Sequence, residues 1–202
     1  MRLSPQIAAV MFTLALTGCI GQERSFSKGI DDFNAQTELN ARLLSESPSL
    51  FANVNMTVIE GRVHLSGTVK TNEQRLTVTR LAWETPHVVE VANDIEVTDE
   101  VGLIDAARDR WISTQVRTRI LTDGTIKDRN YTIDTQNRVV YVLGIAQNQA
   151  ELDRVLAHAR SVSEARRVVN YALLKDDPRR QFTPRGHEEP EGTDGPPAPV
   201  QQ

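Results

Sequence analysis

Val63-His64-Leu65-Ser66-Gly67 and Val140-Tyr141-Val142-Leu143-Gly144 end in glycines that lie 77 residues apart. The first pentad alternates apolar and polar residues as a strand with one buried face does, the second does nearly the same, and each stops at a residue free of a Cβ. Carried along the chain without a gap, the same offset pairs Leu39 with Val116, Leu43-Leu44 with Ile120-Leu121 and Met56 with Ile133. It goes on to pair Val78 with Val155, Ala82 with Ala159, Val91 with Val168 and Asn93 with Asn170. Chance does not sustain such a register, so the sequence is a tandem duplication.

Each copy carries the same predicted elements. Ala35, Leu39 and Leu43, and likewise Ile112, Val116 and Ile120, recur at i, i+4, i+8 and predict a helix with one buried stripe. Asp32 and Asp109 fall near the expected starts of these helices, where a carboxylate suits the positive end of the macrodipole. Two alternating strands follow, Val54-Met56-Val58 then Val63-Leu65, and Tyr131-Ile133 then Val140-Val142. Glu60-Gly61 and Gln136-Asn137 are the expected tight turns. A second helix is predicted around Thr71–Trp83 and Gln149–Ser161, then a last strand over Val88–Val97 or Ala165–Leu174. The order is αββαβ, twice. Three strands form a core only if both helices cover one face, so each copy is predicted as an α+β domain with a three-stranded mixed sheet.

The segments outside the repeats read differently. Residues 1–18 have the anatomy of a secretory signal: Arg2, an apolar run from Ile7 to Leu16, and small residues before Cys19. At 1.5 Å per helical residue that run covers roughly 15 Å, about half a hydrocarbon core, which is too short to span a bilayer. Leu16-Thr17-Gly18-Cys19 resembles the bacterial lipoprotein box, which implies cleavage before Cys19 and its acylation. Cys19 is the only cysteine, so the chain forms no internal disulfide. Ile20 stands where an aspartate would imply retention in the inner membrane, so the expected anchor is in the periplasmic face of the outer membrane. The remaining expected boundaries are a tether over 19–29, domains over 30–98 and 107–176, a linker over 99–106, and a disordered Pro-rich acidic tail over 177–202.

The pattern Asp109-x-x-Ile112-x-x-x-Val116-x-x-x-Ile120, then Val140-x-Val142-x-Gly144, Ala159 and Val168-x-Asn170, resembles the BON domain (bacterial osmotically induced and nodulation proteins). Copy one matches it at Asp32, Leu39, Leu43, Val63, Leu65, Gly67, Ala82, Val91 and Asn93, and departs at Ala35, where a larger aliphatic residue is usual. Two such domains behind a lipoprotein box resemble the dual-BON outer-membrane lipoproteins over about residues 19–176, most closely in Trp111-Ile112-Ser113-Thr114-Gln115-Val116-Arg117. The resemblance implies an αββαβ fold, phospholipid binding and a part in maintaining the outer-membrane barrier.

Residue chemistry locates where such binding would occur. Arg110, Thr114 and Arg117 share one helix face, with Trp111 and Thr118 beside them. Guanidiniums can each hold a phosphate oxygen pair, and an indole favours the headgroup boundary. Copy one has Phe33, Asn34, Thr37 and Asn40 at the corresponding positions and lacks both the cations and the tryptophan, so anionic phospholipid is assigned to copy two. The plainer alternative is a tryptophan capping the apolar stripe between solvated arginines. The formal net charge of −4, which becomes −5 once Arg2 leaves with the signal, puts any attraction in a local patch. Gly67 and Gly144 are expected to be structural, closing a strand where a side chain does not fit.

Enzymatic chemistry finds little support. His64, His87, His158 and His187 stand in no metal-ligand spacing, and no nucleophile elbow or phosphate-cradling loop occurs. No metal or cofactor is expected beyond the lipid on Cys19. His64 and His158 are expected at the surface or its boundary, and the acidic balance with the expected compartment argues against nucleic acid. Two readings stay open: a lipid-binding module of the outer membrane, or an adaptor whose domains dock on other envelope proteins.

Overall fold

The computed structural model describes residues 26–98 and 103–181. The lipoprotein box, Cys19, the acyl site and the tail beyond Gln181 lie outside the described residues. Two compact units form, one built on residues 108–175 and the other on 27–107 with the segment from Asp176.

In the first domain α1 (Phe26–Glu46) and α2 (Pro48–Asn53) precede the hairpin β1 (Val54–Ile59) and β2 (Arg62–Val69). Next come α3 (Asn72–Trp83), β3 (Glu90–Asn93) and β4 (Glu96–Val97). The second domain repeats this with α4 (Leu103–Thr122), a 3-10 turn at Asp128–Asn130, β5 (Tyr131–Gln136), β6 (Val139–Ala146), α5 (Gln149–Arg160), β7 (Arg167–Asn170) and β8 (Leu173–Leu174). The central strand pairs antiparallel with its hairpin partner, Met56 facing Leu65 and Ile133 facing Val142. It pairs parallel with the last strand, Val63 beside Val91 and Val140 beside Val168. The mixed αββαβ sheet predicted from the sequence is thus present in both copies.

The last strand differs from expectation. It is broken into β3 and β4, and into β7 and β8, all pairing with the central strand, so each sheet has four strands on three tracks. Asn93 and Asn170 cause the break: each side-chain oxygen accepts the backbone N–H two residues on, from Ile95 at 3.0 Å and Ala172 at 2.9 Å. These Asx turns lift the backbone out of the ladder for two residues, Asp94-Ile95 and Tyr171-Ala172, before pairing resumes.

The helix stripes bury as their spacing predicts. Leu39, Leu43, Ile112 and Val116 are fully buried and join Val63, Leu65, Val78 and Ala82, or Val140, Val142, Val155 and Ala159, in one core per domain. Burial of a single such side chain contributes about 1.5–3 kcal/mol. Two short elements also seal these cores. Pro48 starts α2, which places Leu50 in the first core, and the loop before the 3-10 turn places Ile126 in the second.

Several expectations fail for local reasons. α1 begins at Phe26 and α4 at Leu103, so helix occupies part of the expected tether and linker. Asp32 and Asp109 consequently sit inside their helices rather than at the ends. Each turns its buried carboxylate onto the hairpin. Asp32 accepts the N–H of Glu60 and of Gly61, both at 2.8 Å, and Asp109 accepts those of Asn137 at 2.8 Å and Arg138 at 2.7 Å. The second turn is Asn137-Arg138, one residue on from the expected Gln136-Asn137 and in step with the 77-residue offset. Both residues have positive φ, 48° and 61°, a conformation that costs a non-glycine residue about 1–2 kcal/mol and that the Asp109 clamp offsets. Within the expected tail, Pro178–Gln181 is a 3-10 turn.

His64 is also corrected. It is 2% exposed, and its Nε2 lies 3.2 Å from Asp94 Oδ2, so it is an interior residue of the first sheet. His158 keeps its boundary place on α5, 2.9 Å from Asp123 Oδ2. Thr125, His158 and Arg154 hold the Asp123 carboxyl well below the usual carboxylate range.

Candidate functional site

α4 is locked in rotation from its buried side. Ile112, Val116 and Ile120 enter the core, Asp109 clamps the turn, and Ser113 Oγ donates to Thr135 Oγ1 of β5 at 2.7 Å. The opposite face must then point outward. Trp111 is 57% and Leu121 67% exposed, and Arg110, Thr114, Arg117 and Thr118 are exposed as well. At about 100° per residue, Trp111, Thr118, Thr114 and Leu121 fill roughly 80° of arc, with Arg110 and Arg117 about 20–40° further round. All five residues singled out on this helix therefore share one surface, and Leu121 extends it.

Their hydrogen bonds sort them. Thr114 Oγ1 donates to the Arg110 carbonyl at 2.8 Å, Thr118 Oγ1 to Thr114 at 2.9 Å and Thr122 Oγ1 to Thr118 at 2.9 Å. These hydroxyl protons are spent on the helix backbone, so the threonines offer methyl groups and acceptors rather than donors to a phosphate. Arg117 donates from Nη2 to the Ile133 carbonyl of the edge strand β5. The corresponding carbonyl in the first domain, that of Met56, accepts from Gln36 Nε2 at 3.2 Å. A helix side chain thus satisfies this edge carbonyl in both repeats, which gives Arg117 a structural part. The Arg110 guanidinium has no hydrogen-bond or ion-pair partner among the described residues, and its whole donor fork is open.

Charge separates the two repeats more than apolarity does. α4 carries Arg108, Arg110, Arg117 and Arg119 against Asp105 and the committed Asp109. α1 carries Lys28 and Arg42 against Asp31, Asp32, Glu38 and Glu46. Yet α1 also has an outward stripe, with Ile30 46%, Phe33 71% and Leu44 50% exposed, and α3 shows Leu76 at 66% and Trp83 at 53%. Neither the cations nor the tryptophan of the second copy point to these residues of the first. Their signal was present in the sequence: Ile30, Phe33 and Leu44 repeat with helical period in the opposite phase to Ala35, Leu39 and Leu43.

Gly67 and Gly144 stand apart from this face. Their φ values are +114° and +142°, and a Cβ would lie 2.2 Å from the Asn53 carbonyl oxygen or 2.1 Å from that of Asn130. Conformation and close approach both demand glycine. Tyr131 braces the same end of the second domain: its hydroxyl donates to Glu151 Oε1 at 2.8 Å, and burial, reinforced by Glu151, pushes the phenol well above its ordinary range. Among the described residues no His, Cys, Asp or Glu cluster could hold a metal ion, and no helix is long and apolar enough to cross a membrane.

The family model described as the BON domain matches residues 31–99 and 108–175. The chain is 40% identical over 147 residues to an uncharacterised protein in the gshII 5′ region of Anaplasma centrale, covering 72% of this chain and 96% of that one. It is 33% identical over 98 residues to the outer membrane lipoprotein DolP of Haemophilus influenzae, covering 48% of this chain and about half of that protein, 51%. Osmotically-inducible protein Y of Escherichia coli is 23% identical over 143 residues, covering 70% of this chain and 71% of its own length.

Proposed function

Because this chain belongs to the BON-domain family through both of its repeats, we propose that it is an envelope lipoprotein of the outer membrane, anchored through acylated Cys19, whose second domain binds anionic phospholipid and supports the membrane barrier. The observation that carries this reading is the outward face of α4, where an exposed tryptophan and leucine lie beside the open Arg110 guanidinium on a helix with a surplus of cations. If a Trp side chain presents at most about 250 Å², its exposed fraction here corresponds to about 140 Å², or about 3.5 kcal/mol on full transfer out of water. Each arginine near an anionic surface adds about 1 kcal/mol. Such a face binds weakly by itself and suits a protein already held at the membrane by acyl chains.

The test is co-sedimentation of the unlipidated mature chain with phosphatidylglycerol and with phosphatidylcholine vesicles. Binding is expected on the anionic vesicles, with Trp111→Glu lowering the partition coefficient about 100-fold and Arg110→Glu about tenfold. Equal uptake by both vesicle types, or wild-type uptake by both variants, refutes the reading. Arg117 is the poorer probe, since its loss also frees the β5 edge carbonyl.

The adaptor reading keeps one specific support. The exposed Ile30, Phe33 and Leu44 of the first domain lie on α1, whose acidic residues outnumber its cations, which suits a protein partner better than anionic lipid.

A further inference from the structure

Glu60 occupies the first position of the β1–β2 turn, and its side chain is 1% exposed. Its own N–H is taken by Asp32, so the carboxylate must find donors elsewhere. They come from a residue 120 positions later. Arg180 Nε donates to Oε2 at 2.8 Å and Nη2 to Oε1 at 2.7 Å, a two-pronged fork that is itself only 13% exposed. Lys28 of α1 lies 3.8 Å from the same carboxylate and donates from Nζ to the Arg180 carbonyl at 2.8 Å.

The backbone on the Arg180 side is built to present that fork. The Asp177 carboxylate accepts from the Arg179 N–H at 2.9 Å and from its Nε and Nη2 at 3.1 and 2.9 Å, and the Arg180 N–H donates to the Asp177 carbonyl at 3.0 Å, which closes the 3-10 turn Pro178–Gln181. The chain therefore leaves the first domain after β4, passes through the second, and comes back to the first at Arg180. This is not a property of the repeat, because the second domain has Asn137 where the first has Glu60. A carboxylate so enclosed is tolerable only with its cation in place.

We propose that the first domain's hairpin is a guanidinium socket built around Glu60, and that Asp177–Gln181 is a latch whose Arg180 fills it and holds the chain that follows the second domain against the first. The socket is independent of the α4 face and stands or falls separately from the lipid reading.

Limited trypsin digestion of the intact chain tests it, since Arg179 and Arg180 are cleavable only when the latch is released. Glu60→Gln keeps the side chain's size and removes its charge. Cleavage at these two arginines is expected to be at least tenfold faster than in wild type, while Glu73→Gln on the exposed side of α3 leaves the rate unchanged. Hydrogen exchange of the β2 and β6 amides in the same sample shows whether both domains remain folded. Arg180→Lys retains the charge and the cleavage site but loses the fork, and is expected to cut at least threefold faster whatever Glu60→Gln does to folding. Wild-type cleavage rates in a folded Glu60→Gln chain, or in Arg180→Lys, overturn the proposal.

Discussion

Replacing Asp32 by alanine, and separately Asp109 by alanine, removes the same two bonds from two copies of one hairpin. The expected costs are unequal. Hydrogen bonds to a charged group contribute about 1.5–3 kcal/mol each, so either variant forfeits two of them. In the first domain the freed N–H groups belong to Glu60 and Gly61, both buried. They would lose their partner where water does not reach, and the expected destabilisation is about 4–5 kcal/mol. In the second domain they belong to Asn137, half-buried, and Arg138, exposed, so water replaces the carboxylate and the expected cost is about 2–3 kcal/mol. A change of 1 kcal/mol moves the midpoint of a domain this small by about 4–8 °C, so the two variants should differ by roughly 10 °C. Native-state hydrogen exchange followed on the 54–69 and 131–146 peptides reads each domain by itself. Asp32→Ala should accelerate exchange in the first peptide and Asp109→Ala, less strongly, in the second. An Asp109 effect equal to or larger than the Asp32 effect would refute the reasoning, because it would mean that solvent access at the turn does not set the cost.

Gly144→Ala should unfold the second domain and leave the first folded, since its Cβ would lie 2.1 Å from the Asn130 oxygen at a φ of +142°; exchange protection retained across β5 and β6 would contradict this. Acid should loosen the first domain through Glu60. Burial alone would raise this carboxyl, but the Arg180 fork, with Lys28 and Arg62, outweighs it and holds the native value below the ordinary 4.5. The folded chain thus favours the ionised form, so the contribution is present above about pH 4.5 and is lost as the pH falls through the native value. Urea midpoints measured from pH 7 down to pH 3 should show that loss in wild type and not in Glu60→Gln; equal acid slopes would place the effect on another group.

The repeat was legible because duplication preserves what a small core needs. Leu39, Leu43, Val63, Leu65 and their partners 77 residues on are fixed by burial, and a period of four on a helix or two on a strand is written directly into their spacing. The glycine pair was legible for a similar reason: a backbone that tolerates no Cβ leaves one residue type. Helix starts were not, since α1 and α4 begin about two and a half turns ahead of the first residue of the apolar stripe, at Phe26 before Ala35 and at Leu103 before Ile112, where burial imposes no spacing.

Side-chain commitments needed the tertiary structure. The sequence puts Asp32 and Asp109 near a helix start, and only folding brings them to a turn 28 residues away. It lays Arg110 and Arg117 on one helix face as equals, yet the nearby Ile133 carbonyl makes one a structural brace and leaves the other open. It offers Glu60 as a turn residue and Arg180 as part of a polar tail, and no local pattern links positions 120 apart. By itself the sequence determined the fold, because apolar periodicity and backbone-restricted glycines act over a few residues. Which polar groups are occupied and which remain available to a ligand was decided only in three dimensions, because each hydrogen bond depends on a partner that the chain supplies from far away.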